Sequence, residues 1–182
     1  VKHNGIVLHN IPFHTYLYNN KHDLLLNKQP FLESQIAAIS DDVAYNNHDV
    51  EDAIRAGLLS IDQLQENMFF KNIIYQLKKE YNIIDDKLLM FQVLRKSMSL
   101  MIEDIYKQTN KNIIDLKIKT KEELQNYNNF IVTFSSSMKS KAKDIKLFLF
   151  YNVYNHQNLL DKRQNVEKII SDLFKYFYNS PN

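Results

Sequence analysis

Residues 30–59 read PFLESQIAAISDDVAYNNHDVEDAIRAGLL, and the remainder of the chain is placed relative to this segment. At about 100° per residue, Leu32, Ile36, Ile39, Val43, Val50, Ile54 and Leu58 fall on one face of a helix spanning about 32–59. Asp41, Tyr45, Asp49 and Asp52 fall on the opposite face. The flanks are Ala37, Ala38, Ala44, Ala53 and Ala56, small residues that let other backbone approach closely. An ordinary surface helix sets long Lys and Glu side chains opposite its apolar stripe, whereas this one sets short acids and a phenol there. Two readings follow: a helix covered on more than one side, with its acids in a cleft, and a solvated acidic face.

Composition bounds the answer. The chain has 182 residues, enough for one domain with a sizeable core. Two glycines, three prolines, 45% hydrophobic and 24% charged residues describe a globular, strongly helical chain rather than a linker or a disordered one. A formal net charge of +2 gives no whole-molecule field that would argue for nucleic acid or membrane binding. The absence of cysteine excludes disulfides and thiolate metal sites and fits a cytoplasmic protein. No apolar run approaches the roughly 18 residues needed to span a bilayer, and the N-terminus lacks a charged-then-apolar signal layout.

Along the chain, residues 1–29 hold four of the six histidines without a sustained period and read as a loop, with a short extended piece at Gly5-Leu8. Residues 67–81 repeat apolar side chains at Met68, Phe69, Ile73, Ile74, Leu77 and Tyr81, as a helix does. Asp85 is placed to cap a helix over 88–108 whose shared face is Leu88, Phe91, Leu94, Met98, Met101, Ile102 and Ile105, a stripe read as core. Ile114, Leu116 and Ile118 alternate with polar residues, which predicts a short extended segment, followed by a helical turn at Lys121 to Asn126. After serine caps comes a helix with Met138, Ile145, Phe148, Leu149 and Val153 inward; His156 interrupts it, and Val166, Ile169, Ile170, Leu173, Phe174 and Phe177 mark the last helix. The fold class is all-α, a helical bundle with at most a short extended segment.

The wording of two stretches is more specific than their periodicity. LESQIAAISDDVAYNNHDVEDAIRAGL resembles LEAQ-x-A-x-x-ADDIAY-x-x-HD-x-[DE]D-x-x-RAGL, a segment of the HD-domain deoxynucleoside-triphosphate triphosphohydrolases, the dGTPase family. Lys2-His3-Asn4-Gly5 is similar to a stretch shortly before it in that family. Further on, V-x-FSS-x-M, K-x-FL-x-x-N-x-Y-x-H and I-I-x-x-LF-x-x-Y/F-x-x-x-P resemble the family's phosphohydrolase-associated region, in the family's order. The resemblance divides the chain into residues 1–84, the C-terminal part of the HD domain, and residues 85–182, the associated helical region.

The resemblance implies a site in which two histidines and two aspartates hold a divalent metal (Mg, Mn or similar) against the α-phosphate of a dNTP. dGTP is first among the substrates, and the products are the deoxynucleoside and triphosphate. Matched by motif, Asp41 is the last metal ligand, and Tyr45 and Asp49 contact the sugar around its 3′-hydroxyl, with Tyr45 excluding a 2′-hydroxyl. Spacings of four keep the three on one side of the helix. Asp42 competes for the ligand role, but it points about 100° away from Asp41, and the four-residue relation to Tyr45 favours Asp41. Asp52 and Arg55 read as a structural ion pair or helix-end charge.

The dipeptides His22-Asp23 and His48-Asp49 stand in the wrong context and order for the family's metal-binding pair, and they read as a loop histidine and a helix-face histidine. The lone histidine, the helical His-Asp pair and the PFGH-like segment around it find no match. The chain is therefore expected to be a fragment that is inactive alone. A second reading is a non-catalytic helical module that oligomerises or binds nucleotides or single-stranded nucleic acid, with no membrane partner. Eight Lys or Arg against four Asp or Glu in residues 135–182 permit weak phosphate contact. Family members are oligomers, so a homo-oligomer is expected.

Overall fold

Side-chain caps fix where most of the helices begin. Asn67 accepts from the amides of Phe69 and Phe70, Asp85 from Leu88, Ser135 from Met138, and Ser60 and Thr120 each close a reciprocal capping box with Gln63 and Glu123. The computed structural model describes residues 13–26, 28–81 and 85–180, so the readings of Lys2-His3-Asn4-Gly5 and of Gly5-Leu8 lie outside the described residues. In chain order the elements are α1 (Phe13–Asn19), α2 (Leu32–Arg55), α3 (Ile61–Leu64), α4 (Met68–Glu80), α5 (Asp86–Asp115), α6 (Lys121–Gln125), α7 (Ser136–Leu149), a π-helical segment (Phe150–Tyr154) and α8 (Gln157–Asn179). Every element among the described residues is helical, as the sequence predicts.

The core is the meeting of α2, α4, α5 and α7. α4 packs on α5, and α2 receives both α5 and α7. Val43, Val50 and Ala53 of α2, Phe70, Ile73 and Ile74 of α4, Leu89, Val93 and Met101 of α5, and Ile145 and Leu149 of α7 are buried together. Full burial of each large apolar side chain contributes about 1.5–3 kcal/mol relative to leaving it in water. Polar side chains tie the segment before α7 to this core. Gln35, buried on α2, accepts at Oε1 from the amides of Ile131 (2.8 Å) and Val132 (3.1 Å) and donates to the carbonyl of Pro30 (2.9 Å). Asp104 of α5 accepts from both the amide and the hydroxyl of Ser135 (2.8 and 2.7 Å), which seats the start of α7.

The structure departs from the sequence reading in several places, each with a local cause. A helix, α1, stands where residues 1–29 read as a loop. α2 stops at Arg55 rather than near 59: Gly57 takes φ +69°, and the amides of Gly57 and Leu58 turn back onto the carbonyls of Ile54 and Ala53. That is a Schellman ending, and glycine meets its left-handed requirement without a Cβ penalty. α5 runs past its expected end at 108 and into the expected extended segment, to Asp115. Asn112 holds it there by donating to the carbonyl of Ile131 (2.8 Å), and a second Schellman ending closes at Lys117.

The buried face of α5 is also rotated from the expected one. Leu89, Met90, Val93, Leu94, Ser97 and Met101 face the core, while Leu88, Phe91 and Ile102 are exposed. With apolar residues on most of its circumference, this helix takes its orientation from α4 and α2. On α4, Phe70 is core, whereas Met68 is exposed, as is Tyr81, which caps the helix end in extended conformation. On α2, Ile36 is half exposed.

Candidate functional site

The polar side of α2 faces a groove of about 530 Å³ whose other wall is α7 and the π-helical segment. Asp41, Asp42 and Tyr45 line it from α2; Lys143, Lys146 and Leu147 line it from α7; and Phe150 and Tyr154 close it. Asp41 and Tyr45 are exposed, while Asp49, one further turn along, is half-buried beneath Tyr154. The groove therefore combines the two sequence readings of this face: it is solvated at Asp41 and sheltered at Asp49.

Tyr154 fixes the sheltered end. Its hydroxyl donates to Oδ2 of Asp49. Burial first, and then its hydrogen bonds to the Asp49 carboxylate and Tyr45, push the phenol well above its ordinary value, so it remains a neutral donor. The reach comes from the backbone. At the end of α7 the helix widens into a π turn, with the amide of Asn155 returning to the carbonyl of Phe150 (3.2 Å), and the wider turn changes the direction in which Tyr154 leaves the helix. Single π turns of this kind recur at functional sites.

Charge is arranged at the other end. Lys146 Nζ lies 3.0 Å from Asp42 Oδ1, a pair bridging α7 and α2. Asp41 makes no hydrogen bond or ion pair among the described residues, so its carboxylate oxygens are open to a ligand. Asp42 is engaged by Lys146. Lys143 adds a second cation to the same wall.

The four-residue spacing thus brings Asp41, Tyr45 and Asp49 to one side of α2 as the sequence predicts. It does not pair Asp52 with Arg55; Arg55 pairs with Glu51 instead (2.6 Å) and lies over the ring of Phe91. His48 is exposed with Glu51 nearby (3.9 Å), and the ring of His22 lies against Tyr18 (5.0 Å between centroids). Among the described residues no three His, Asp or Glu side chains come together as a metal site. One open carboxylate is too few to hold a divalent ion, which takes about four to six ligands. Tyr154, Lys143 and Lys146 escaped the sequence reading as site residues. The signal for two of them was already in K-x-FL-x-x-N-x-Y-x-H, which contains Lys146 and Tyr154 without revealing that they turn toward α2.

Residues 132–182 match the model of the phosphohydrolase-associated domain. The whole chain is similar to deoxyguanosinetriphosphate triphosphohydrolase-like proteins of Bartonella henselae (36% identical over 188 residues), Bartonella quintana (35% over 188) and Brucella anthropi (33% over 190). In each case the match covers 100% of this chain and 47% of the relative, so the chain spans about half the length of the curated relatives it matches. Two observations therefore converge: the α2 segment and the associated region resemble one family in sequence, and the fold brings the two together across a single groove. Over its whole length the chain is similar to deoxyguanosinetriphosphate triphosphohydrolase-like phosphohydrolases, consistent with the C-terminal part of such proteins, the part that includes the phosphohydrolase-associated domain.

Proposed function

We propose that the groove between α2 and α7 is the sugar-phosphate side of a dNTP triphosphohydrolase site, with dGTP the first substrate to consider. The observation that carries this reading is the row Asp41, Tyr45 and Asp49 at successive turns, facing Tyr154 and two lysines across the groove. Asp49 accepts from Tyr154 at one oxygen and keeps the other for a sugar hydroxyl; Tyr45 offers both a hydroxyl and a ring edge against the sugar, a natural barrier to a 2′-hydroxyl. Lys143 and Lys146 place positive charge where a triphosphate would lie. Asp41 supplies one oxygen ligand to a divalent cation such as Mg or Mn, whose other ligands are not among the described residues. With that set incomplete, the chain alone is inactive. A chain without cysteine suits the reducing cytoplasm, where this chemistry would operate.

Release of triphosphate and deoxyguanosine from dGTP, followed by chromatography, tests the reading. The chain alone, with Mn or Mg, is expected to give none. Co-expression with the remaining part of the Bartonella henselae relative is expected to give turnover that falls at least ~100-fold in Asp41→Asn, the scale expected when a metal site loses a ligand. Full turnover by the isolated chain would overturn the claim that its metal site is incomplete, and no turnover by the assembled pair, or full turnover by its Asp41→Asn variant, would sink the site itself.

A second reading, a helical module that assembles subunits or contacts single-stranded nucleic acid, is favoured by one feature. α8 carries an uncovered apolar face, with Ile169, Ile170 and Phe177 all more than half exposed. A homo-oligomer built on that face is compatible with the hydrolase reading. No described helix is long and apolar enough to cross a membrane.

A further inference from the structure

Three of the four polar members of the stretch K-x-FL-x-x-N-x-Y-x-H already have a place in the structure: Lys146 pairs with Asp42, Tyr154 donates to Asp49, and His156 caps α8. Asn152 is the fourth. It lies within the π-helical segment, partly buried, and its Nδ2 donates to the carbonyl of Phe148 (3.0 Å), four residues back. In an unbroken α-helix that carbonyl accepts from the backbone amide of residue 152. A side-chain donor at the same acceptor competes with that amide, and a side chain inserted into the ladder in this way bends a helix. Leu149 and Val153, at either end of the turn, are both buried in the core. They fix where the turn lies and leave its width to be set locally. Asparagine is also one of the weaker formers of regular helix, so residue type and bond favour the wide turn together.

We infer that Asn152 is a positioning residue: its bond to the Phe148 carbonyl keeps the turn at π width, and that width aims Tyr154 at Asp49. A π turn takes in one more residue than an α turn, so Tyr154 stands about 100° round the axis from where a regular helix would carry it. The phenol then meets Oδ2 of Asp49. A carboxylate held at one oxygen presents the other in a fixed direction, whereas an unheld one turns about its own bond. The meaning of this for a nucleotide sugar rests on the reading of the groove given above; the aiming of Tyr154 does not.

The test uses the whole chain without metal or nucleotide, so its failure is separate from failure of the hydrolase reading. Urea denaturation of the parent chain, Tyr154→Phe, Asn152→Leu and the double variant makes a closed cycle. Leucine keeps the shape of asparagine and lacks the donor. Tyr154→Phe is expected to lower the midpoint of the parent chain, and to lower that of Asn152→Leu by less than about half as much, because the hydroxyl has already left Asp49. In chains with isotope-labelled tyrosine, the Cζ signal of Tyr154 is identified by its loss in Tyr154→Phe. It is expected to move in Asn152→Leu to the range of the exposed Tyr75 and Tyr106. Should the leucine variant not fold, Asn152→Ala removes the donor without bulk and is read in the same way. Either of two results would overturn the inference. One is a cycle in which the two losses simply add. The other is a Tyr154 signal that keeps its parent position when residue 152 has no donor, which would make the Asn152 bond a local feature of its own helix.

Discussion

α4 and α8 are both amphipathic helices with a dense apolar stripe, yet they end in opposite environments. α4 buries Phe69, Phe70, Ile73, Ile74 and Leu77 against α5. α8 leaves Val166, Ile169, Ile170, Leu173, Phe174 and Phe177 at least half exposed, touching the rest of the chain mainly through the π-helical segment at its start. Periodicity states which face of a helix gains from burial; it says nothing about what arrives to cover that face. Helix α5 follows α4 after a short connection and closes on it, whereas α8 is the last described element and touches few of the others. The apolar face of α8 stays uncovered among the described residues, and contiguous exposed apolar faces are rare on monomeric proteins.

The contrast can be broken by substitution. The largest effect is expected at the covered helix: Phe70→Ala removes a ring that is 1% exposed and should cost about 3–5 kcal/mol in urea denaturation. A loss below 1 kcal/mol would mean that α4 is not held in the core as described. Next comes Gln35→Ala, which strands two buried amides and a carbonyl; a loss of about 2–4 kcal/mol is expected, with the helices intact by circular dichroism.

Tyr154→Phe is smaller, about 0.5–1.5 kcal/mol near neutral pH, for one hydrogen bond to Asp49. Its sharper signature is alkaline. The folded chain holds the Tyr154 proton above the ordinary value of 10.0, so the contribution of this group is complete below about pH 10 and is lost as pH rises beyond it. Denaturation midpoints of Tyr154→Phe between pH 9 and 11 are expected to decline less steeply than those of the parent chain. Parallel curves would remove Tyr154 from the linkage. Smallest in stability is Phe177→Ser on the uncovered helix, within about 0.5 kcal/mol. The same change is expected to lower any self-association seen by sedimentation, because it erodes the apolar face.

The helices themselves were legible where local rules act alone. Asp85 caps α5 as read, the serines open α7, and His156 both ends one helix and begins the next, accepting from the amide of Asn158. Reading failed where distant contacts choose among local options. Ile114, Leu116 and Ile118 alternate like a strand, yet the backbone there stays helical to Asp115 because Asn112 is held by residues 131 and 133. The apolar stripe of α5 was drawn through Leu88 and Phe91 and lies through Leu89 and Val93 instead.

The candidate site divides along the same line. Asp41, Tyr45 and Asp49 share one element, and a period of 3.6 residues places them together whatever else the chain does, so the sequence by itself determined that row, the all-α class and the family resemblance. Lys146 stands 104 residues from Asp42, and Tyr154 stands 105 from Asp49. No local spacing reports on such pairs. Their meeting depends on how α7 packs on α2 and on one widened helical turn, both consequences of close packing among side chains far apart in the chain, and so only the tertiary structure could decide it.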